Sequence, residues 1–442
     1  MDLAIGSATT AIGADERWTG TRVFVVAFCF VLNMLDGADL LVMSFVAPIL
    51  STQWAIGPER LGVLFSASLA GMAIGCLVVA PFADRLGRRT MILGALALVA
   101  AAMLASGLAR SVVELMLARL AVGVGVGTIG VCMTAMAAEF APARHRSLAV
   151  GIVQAGWPFA SIITAFAAVW FLAASGWATL FMAIGLLSAV LMLVALALLP
   201  ESPAFLASGR ARHGLARLNA VYGAMGLAVL DALPSRTPET SRTAVGALFA
   251  GGLARNSVLL WTAVTLGYFD LYFVISWIPK LANRAGLPVD QAIYAGAIYN
   301  LGAFVGTALV GALAVRFRLN SVIALFLIAA AAAMLVFGGV AMPVWLTLAT
   351  ALMVGVTVQG GFNGFWGLAV RLYPAAIRGT GVGWALGVGR IGAVAGPVVG
   401  GLLVGGGVST TEIFAIYAVP LVAAALLTLS IRQGPAQDDA AH

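Results

Sequence analysis

Residues 22–50 read RVFVVAFCFVLNMLDGADLLVMSFVAPIL. An apolar run of this length, coiled as a helix, crosses the ~30 Å hydrocarbon layer of a bilayer. Midway along it stands Asn33-Met34-Leu35-Asp36-Gly37-Ala38-Asp39. The spacing of Asp36 and Asp39 projects both carboxylates from roughly one side of the helix. A charged group at bilayer depth costs several kcal/mol, about 3 by the lower estimates, so it faces a bundle interior or a water-filled cavity. Two readings follow: a structural pair neutralised by a neighbouring helix, or a proton or substrate site inside a transporter.

The rest of the chain decides its class. Of its 442 residues 62% are hydrophobic and 9% charged, whereas soluble domains carry about 25% charged residues. An all-α polytopic membrane protein is expected, embedded in the lipid bilayer. Apolar runs begin near Arg22, Leu61, Met91, Val112, Leu148, Trp177, Ser257, Gln291, Ser321, Pro343, Thr380 and Glu412, which predicts twelve transmembrane helices. Cys29, Cys76 and Cys132 all lie in apolar runs, so no disulfide framework is indicated. His145, His213 and His442 fall in loops or the tail, so proton coupling has to rest on carboxylates. The mostly small and polar residues before Arg22 do not read as a secretory signal.

The net charge of +7 is a topology signal rather than a nucleic-acid footprint. With the N-terminus inside, only Arg60, Arg110, Lys280 and Arg284 of the 24 basic residues fall outside, and Arg119 and Arg390 fall within spans. That asymmetry predicts both termini in the cytoplasm and no nucleic-acid partner.

The expected organisation is a cytoplasmic tail (1–21), a six-helix bundle (22–199), a cytoplasmic linker (200–256), a second six-helix bundle (257–431) and a cytoplasmic tail (432–442). The linker opens Glu201-Ser202-Pro203, a helix start with Ser202 as N-cap and Pro203 in the first turn. An amphipathic helix is expected from there to Tyr222, followed by a Pro/Ser/Thr-rich connector over Asp231 to Arg242. The bundles read as repeats. Glu139-Phe-Ala-Pro142-Ala143-Arg-His-Arg146 and Arg371-Leu-Tyr-Pro374-Ala375-Ala-Ile-Arg378 share Pro, Ala and Arg at an offset of 232 residues, and Ala83-Asp84-Arg85 echoes Ala314-Val315-Arg316 at 231. Two pseudo-symmetric halves with a substrate site between them are a recurrent transporter plan.

On these residues the chain resembles the major facilitator superfamily. Ala80-Pro-Phe-Ala-Asp84-Arg85-Leu-Gly87-Arg88-Arg89 looks like its signature loop G-x-L-x-D-R-x-G-R-[RK], with Ala80 in place of the first Gly. Arg119 with Gly123, Gly125 and Gly127 looks like its R-x-x-x-G-x-G motif. Asp36-Gly-Ala-Asp39, Pro200-Glu201-Ser202-Pro203 and the run from Tyr373 through Gly381, Gly383 and Trp384 to Gly389-Arg390-Ile-Gly392 resemble the aromatic acid:proton symporters of bacteria. The G-x-x-x-G-P-x-x-G-G pattern marks antiporters when it lies in span five. Here it lies in span eleven, as Gly392 to Gly401, and reads as a close-packing and bending element.

The resemblance implies a central cavity lined by spans one, four, seven and ten. It would gather Asp36 and Asp39 as proton-coupling groups. Arg119, Arg390, Asp270, Tyr268, Tyr272, Gln359, Asn363 and Trp366 would be the substrate contacts. Arg119 and Arg390 also read as packing arginines, paired with the span-one aspartates and with Asp270 respectively. The rings of Tyr268, Tyr272, Phe362, Phe365 and Trp366 also read as bundle filling, although a flat aromatic substrate suits offset stacking. Asp84, Arg85, Arg88, Arg89, Glu139, Arg146 and Arg378 are the expected gate. Asp84 would meet the start of span eleven and Glu139 would pair with Arg146, while some of the arginines serve only to set topology. The expected function is proton-coupled import of a hydroxybenzoate-like aromatic carboxylate across the bacterial inner membrane by alternating access. The expected carrier is a monomer with no cofactor beyond the proton gradient, and no metal. Another organic anion, a sugar, or export by the same fold are the alternatives. An enzyme lacks support, because no metal-ligand cluster, span histidine or phosphate-binding loop is present.

Overall fold

The computed structural model describes residues 17–233, 245–250, 252–284, 287–339, 342–374 and 377–432. Residues 1–16 and 433–442 of the expected tails, most of the Pro/Ser/Thr-rich connector with Arg236 and Arg242, and Ala375 of the repeat lie outside the described residues.

Among the described residues, twelve helices are long and apolar enough to cross a membrane. They are α1 (Gly20–Gln53), α2 (Pro58–Leu86), α3 (Arg88–Leu108), α4 (Val112–Phe140), α5 (Leu148–Leu172), α6 (Trp177–Leu198), α7 (Leu253–Arg284), α8 (Val289–Arg316), α9 (Leu319–Gly339), α10 (Val344–Leu372), α11 (Thr380–Gly405) and α12 (Thr410–Leu429). In hydrocarbon, helix is the form in which a single segment satisfies its own backbone groups. Local chemistry sets the ends: Ser111 and Ser409 accept from the backbone N–H of Glu114 and Glu412, and Pro58 occupies the first turn of α2. Pro81 lacks an N–H to donate, and α2 adjusts just there. It passes through a π segment, Gly75–Val79, and a 3₁₀ turn, Ala80–Phe82, before its last α turn.

The start of α1 and the linker lie together, as do the start of α7 and the end of the described chain. Thr19 Oγ1 donates to the Ala224 carbonyl, and Asn256 Nδ2 to that of Arg432. We call this side the terminal face. Ser202 caps Pro203–Ala207 as expected, its hydroxyl accepting from Phe205 N–H at 3.1 Å. The helix does not continue to Tyr222. Gly209 and His213 adopt positive φ (71° and 54°), and a second helix spans Gly214–Ala224.

Within the first half α4 packs on α1, α2 and α3; within the second, α10 packs on α7, α8 and α9. The halves meet through α2 with α11, α5 with α8, and α1 with α7. The repeat is visible in three dimensions. Pro48 and Pro279, both inside long helices, stand at the 231-residue offset. So do Gly71 and Gly302, and Gly123 and Gly355 are related by the 232-residue offset of the neighbouring loops. In each half these glycines press α2 on α4, or α8 on α10, so closely that an added Cβ would strike a facing backbone carbonyl.

Candidate functional site

The glycines of α4 place Arg119. Gly123 and Gly127 lie against the Ser68 and Met72 carbonyls of α2, and Gly125 against Val99 and the Ala95 carbonyl of α3. The arginine one turn before them is thereby driven into the first bundle, where it is 1% exposed. It makes an ion pair with the Asp39 carboxylate. Its Nη2 donates to the Asp39 carbonyl at 2.9 Å and to Ser68 Oγ at 3.4 Å. Ser68 in turn donates to Asp39 Oδ2 at 3.2 Å. The guanidinium carbon lies 5.8 Å from the Phe181 ring centre. This group is sealed, and the structure does not bring Arg119 or the Asp39 carboxylate to a cavity wall.

Asp36 behaves differently. It is half-buried, its Oδ1 has no hydrogen-bond partner, and the charges within its electrostatic reach are Arg390 of α11 and Asp39. Arg390, also half-buried, donates from Nη1 to Tyr272 Oη at 3.2 Å and lies 5.3 Å from the centre of the Tyr268 ring. Tyr268 and Tyr272 are stacked at 5.7 Å, and Tyr268 meets Phe362 of α10 at 4.4 Å. Among the described residues no acid lies within ion-pair distance of Arg390. Gly392, Gly396 and Gly400 let α11 close onto α7 at Thr265, Phe269 and Phe273, which fixes Arg390 over the tyrosine face. Cys76, in the π segment of α2, is within electrostatic reach of both Asp36 and Arg390.

Four further expected contacts fall elsewhere. Asp270 is two residues from each tyrosine, about 200° around the helix from both at ~100° per residue. It is fully buried, and neither carboxylate oxygen has a partner. It neither lines the site nor pairs with Arg390. Gln359 and Asn363 form a polar run on the α10–α8 seam. Gln359 Nε2 donates to Asn363 Oδ1 at 3.2 Å, and Asn363 Nδ2 to Thr307 Oγ1 at 2.6 Å. Trp366 is 42% exposed and makes no ring contact among the described residues. Sequence reasoning missed Ser68 and Cys76, because each takes its meaning from a helix distant in sequence.

The bonds between the halves cluster away from the terminal face. Ser44 Oγ donates to the Ile275 carbonyl at 2.9 Å, and Ser66 Oγ to that of Val394 at 2.6 Å. Lys280 Nζ donates to Ser51 Oγ, and Phe65 meets Trp277 edge-on at 5.4 Å. The main packing of α4 is on helices of the first half and that of α10 on helices of the second. Several of the expected gate residues are engaged within the first half or by the linker that follows it. Arg88 pairs with Glu139, which accepts from Ser202 Oγ at 2.5 Å. Glu201 accepts from the backbone N–H of Arg89 at 3.0 Å, and Arg89 Nη2 donates to the Leu196 carbonyl at 2.6 Å. Arg210 donates to the Asp84 carbonyl at 2.8 Å. Gly87, at φ 94°, lets the loop turn where a Cβ would strike the Glu201 carboxylate. Asp84, Arg85 and Arg146 are exposed; no bond joins Asp84 to α11 or Glu139 to Arg146 among the described residues. Arg378 Nε donates to the Tyr373 carbonyl at 3.3 Å. Tyr373 itself ties the end of α10 to α7 through Ser257 and Trp261. Burial raises its phenol above the ordinary value, so the hydroxyl stays protonated at neutral pH.

Over residues 26–393, and again over 260–441, the chain matches the family model described as Major Facilitator Superfamily. A 4-hydroxybenzoate transporter PcaK of Acinetobacter baylyi is 32% identical over 410 residues, covering 91% of this chain and 89% of the relative. A gallate transporter of Pseudomonas putida is 30% identical over 407 residues, covering 92% and 91%. The 3-(3-hydroxy-phenyl)propionate transporter of Escherichia coli is 29% identical, covering 91% and 92%. Among solved structures, the inward open conformation of the xylose transporter XylE from E. coli superposes with a TM-score of 0.74 at 18% identity, covering 94% of this chain and 98% of that one. That likeness concerns the fold.

Proposed function

Because the chain belongs to the major facilitator superfamily, a family of transporters and not of enzymes, we propose that it imports a hydroxybenzoate-like aromatic carboxylate together with protons, by alternating access. The observation that carries this reading is Arg390, a half-buried cation with no acid at ion-pair distance among the described residues, held by Tyr272 over the face of Tyr268. A guanidinium uses one donor there and keeps others in a planar fork that fits a carboxylate. The rings of Tyr268, Tyr272 and Phe362 offer faces for offset stacking of an aromatic substrate. The relatives that carry hydroxylated aromatic acids by name support the same substrate class.

Coupling follows from the charges. With the site empty, the positive charge of Arg390 favours ionised Asp36. A substrate carboxylate on Arg390 offsets that positive charge, so Asp36 then shifts toward its protonated form. Anion and proton therefore promote each other's binding, and by linkage the effect is reciprocal. The asymmetry of basic residues supports cytoplasmic termini and an inner-membrane location. An opening on the terminal face, away from the bonds that join the halves, would then deliver substrate to the cytoplasm, and the driving force is the proton gradient with no other cofactor.

The test is uptake of benzoates, hydroxybenzoates and phenylpropionates into proteoliposomes under an imposed pH gradient. Accumulation that collapses with a protonophore is expected, and Asp36→Asn should retain binding while its response to the gradient falls. Gradient-driven accumulation by Asp36→Asn equal to wild type would remove Asp36 from the mechanism.

A further inference from the structure

The two halves correspond residue by residue, and the correspondence isolates one acid. At the 231-residue offset Asp39 of α1 matches Asp270 of α7, and Ser68 of α2 matches Tyr299 of α8. At the 232-residue offset that relates α4 to α10, Arg119 matches Ala351, and Gly123 matches Gly355. The backbones agree: Gly123 sits on the Ser68 carbonyl and Gly355 on the Tyr299 carbonyl. In the first half the acid has its arginine and its serine. In the second the arginine has become a buried alanine, and the acid remains.

Asp270 is 0% exposed, and both its oxygens lack a partner among the described residues. Tyr417 of α12 is the titratable group within its electrostatic reach, but the Tyr417 hydroxyl donates to the Gly396 carbonyl at 2.5 Å. From α10 the matching position presents Ala351. From α8 it presents Tyr299, whose unpartnered hydroxyl lies instead within electrostatic reach of Tyr272. From α9 the residue matching Met103 is Met334, also apolar. Among the described residues no cation faces this carboxylate. An uncompensated charge at such depth is not sustained, so the packing accepts the neutral acid.

We infer that Asp270 is a second proton-binding carboxyl of the transport cycle, distinct from Asp36, at a repeat position that lacks the matching arginine. The inference rests on the transport reading above. Its link to the cycle is α7 itself. This helix holds Tyr268 and Tyr272 against Arg390 on one face, and it carries the contacts at Ile275, Ser276, Trp277 and Lys280 that join the halves. When the halves rock, those contacts must break and the packing around Asp270 must change. The proton enters from water as the acid forms its O–H bond and leaves when the repacked site admits water. With Asp36 also loaded, one carboxylate then moves with two protons, and each turnover carries net positive charge inward.

Two measurements test this. Purified protein in lipid nanodiscs should show the infrared carbonyl band of a protonated carboxylic acid, absent from Asp270→Asn and from Ala351→Arg, which restores the lost counterion. This readout does not depend on transport, so it stands even if no aromatic acid is carried. In proteoliposomes, wild-type uptake should be stimulated by an inside-negative potential, and both variants should lose that stimulation while keeping pH-driven uptake. Should one variant fail to fold, the other still reads the result. A wild-type spectrum matching that of the folded variants, or voltage-stimulated uptake retained by them, overturns the inference without touching the transport reading.

Discussion

Replacing Arg390 with lysine isolates the carboxylate contact, because charge is kept and geometry is lost. The guanidinium spends one donor on Tyr272 at 3.2 Å and lies 5.3 Å from the Tyr268 ring centre. A compact ammonium on a thinner stem cannot hold Tyr272 and also grip two oxygens of a substrate. The loss is one charge-assisted hydrogen bond, about 1.5–3 kcal/mol. At 1.4 kcal/mol per tenfold, the dissociation constant should rise roughly 10- to 150-fold. Calorimetric titration of purified protein with 4-hydroxybenzoate and with its methyl ester separates this term from ring packing. The ester has no carboxylate, so its weaker affinity should be little changed by Arg390→Lys. Equal losses for acid and ester, or an unchanged affinity for the acid, would show that Arg390 is a packing residue and refute the assignment of the anion seat.

Two further outcomes concern the frame around the site. Asp39→Asn leaves Arg119 charged and sealed, which should cost about 3–5 kcal/mol; the double variant Asp39→Asn/Arg119→Met should regain most of the lost thermal stability in detergent, and failure to regain it would deny the coupling. Gly355→Ala sets a methyl group against the Tyr299 carbonyl and should cost about 1–3 kcal/mol, seen as a lower unfolding temperature. Gly94→Ala, inside α3 with nothing within 4 Å of the added carbon, should leave that temperature unchanged or raise it slightly, because alanine is the better helix former.

The spans were legible because hydrocarbon dictates them: an apolar run near 20 residues long has one viable backbone form. Their ends were less so. The sequence reading starts the third span near Met91, whereas α3 begins at Arg88, because a charged first turn is helical without being apolar. The gate was legible as a set of charges but not as a set of bonds. Glu139 takes Arg88 rather than Arg146, Arg89 is held by the end of α6 and by Glu201 beyond it, and Asp84 accepts from Arg210. Pairing of that kind depends on which side of the molecule is open, and a pattern of residue types carries no information about it. The division of labour between Asp36 and Asp39 was equally hidden. A three-residue spacing places them on neighbouring parts of one helix face. Which of them meets an arginine depends on how near α4 comes, and glycines far along the chain decide that.

The repeat explains why the chemistry is concentrated where it is. The closest approach of α2 to α4 and of α8 to α10 is carried by glycines that appear in both halves, Gly71 with Gly302 and Gly123 with Gly355, since two backbones this near tolerate no side chain at either copy. Charged residues are under no such constraint and have diverged. Asp36 matches Gly267, and Arg390, at the offset that relates Arg146 to Arg378, matches Pro158. Neither member of the coupling pair has a counterpart, so the anion seat and its proton acceptor came from opposite halves and face each other only across the seam. A charge pair built across the seam feels the relative motion of the halves directly, whereas the Asp39–Arg119 pair, inside one bundle, moves as a unit. The same reasoning sorts Asp270: it lies inside one half, so rocking reaches it only through the contacts that α7 makes with α1 and α2. Its proton should therefore exchange more slowly than that of Asp36.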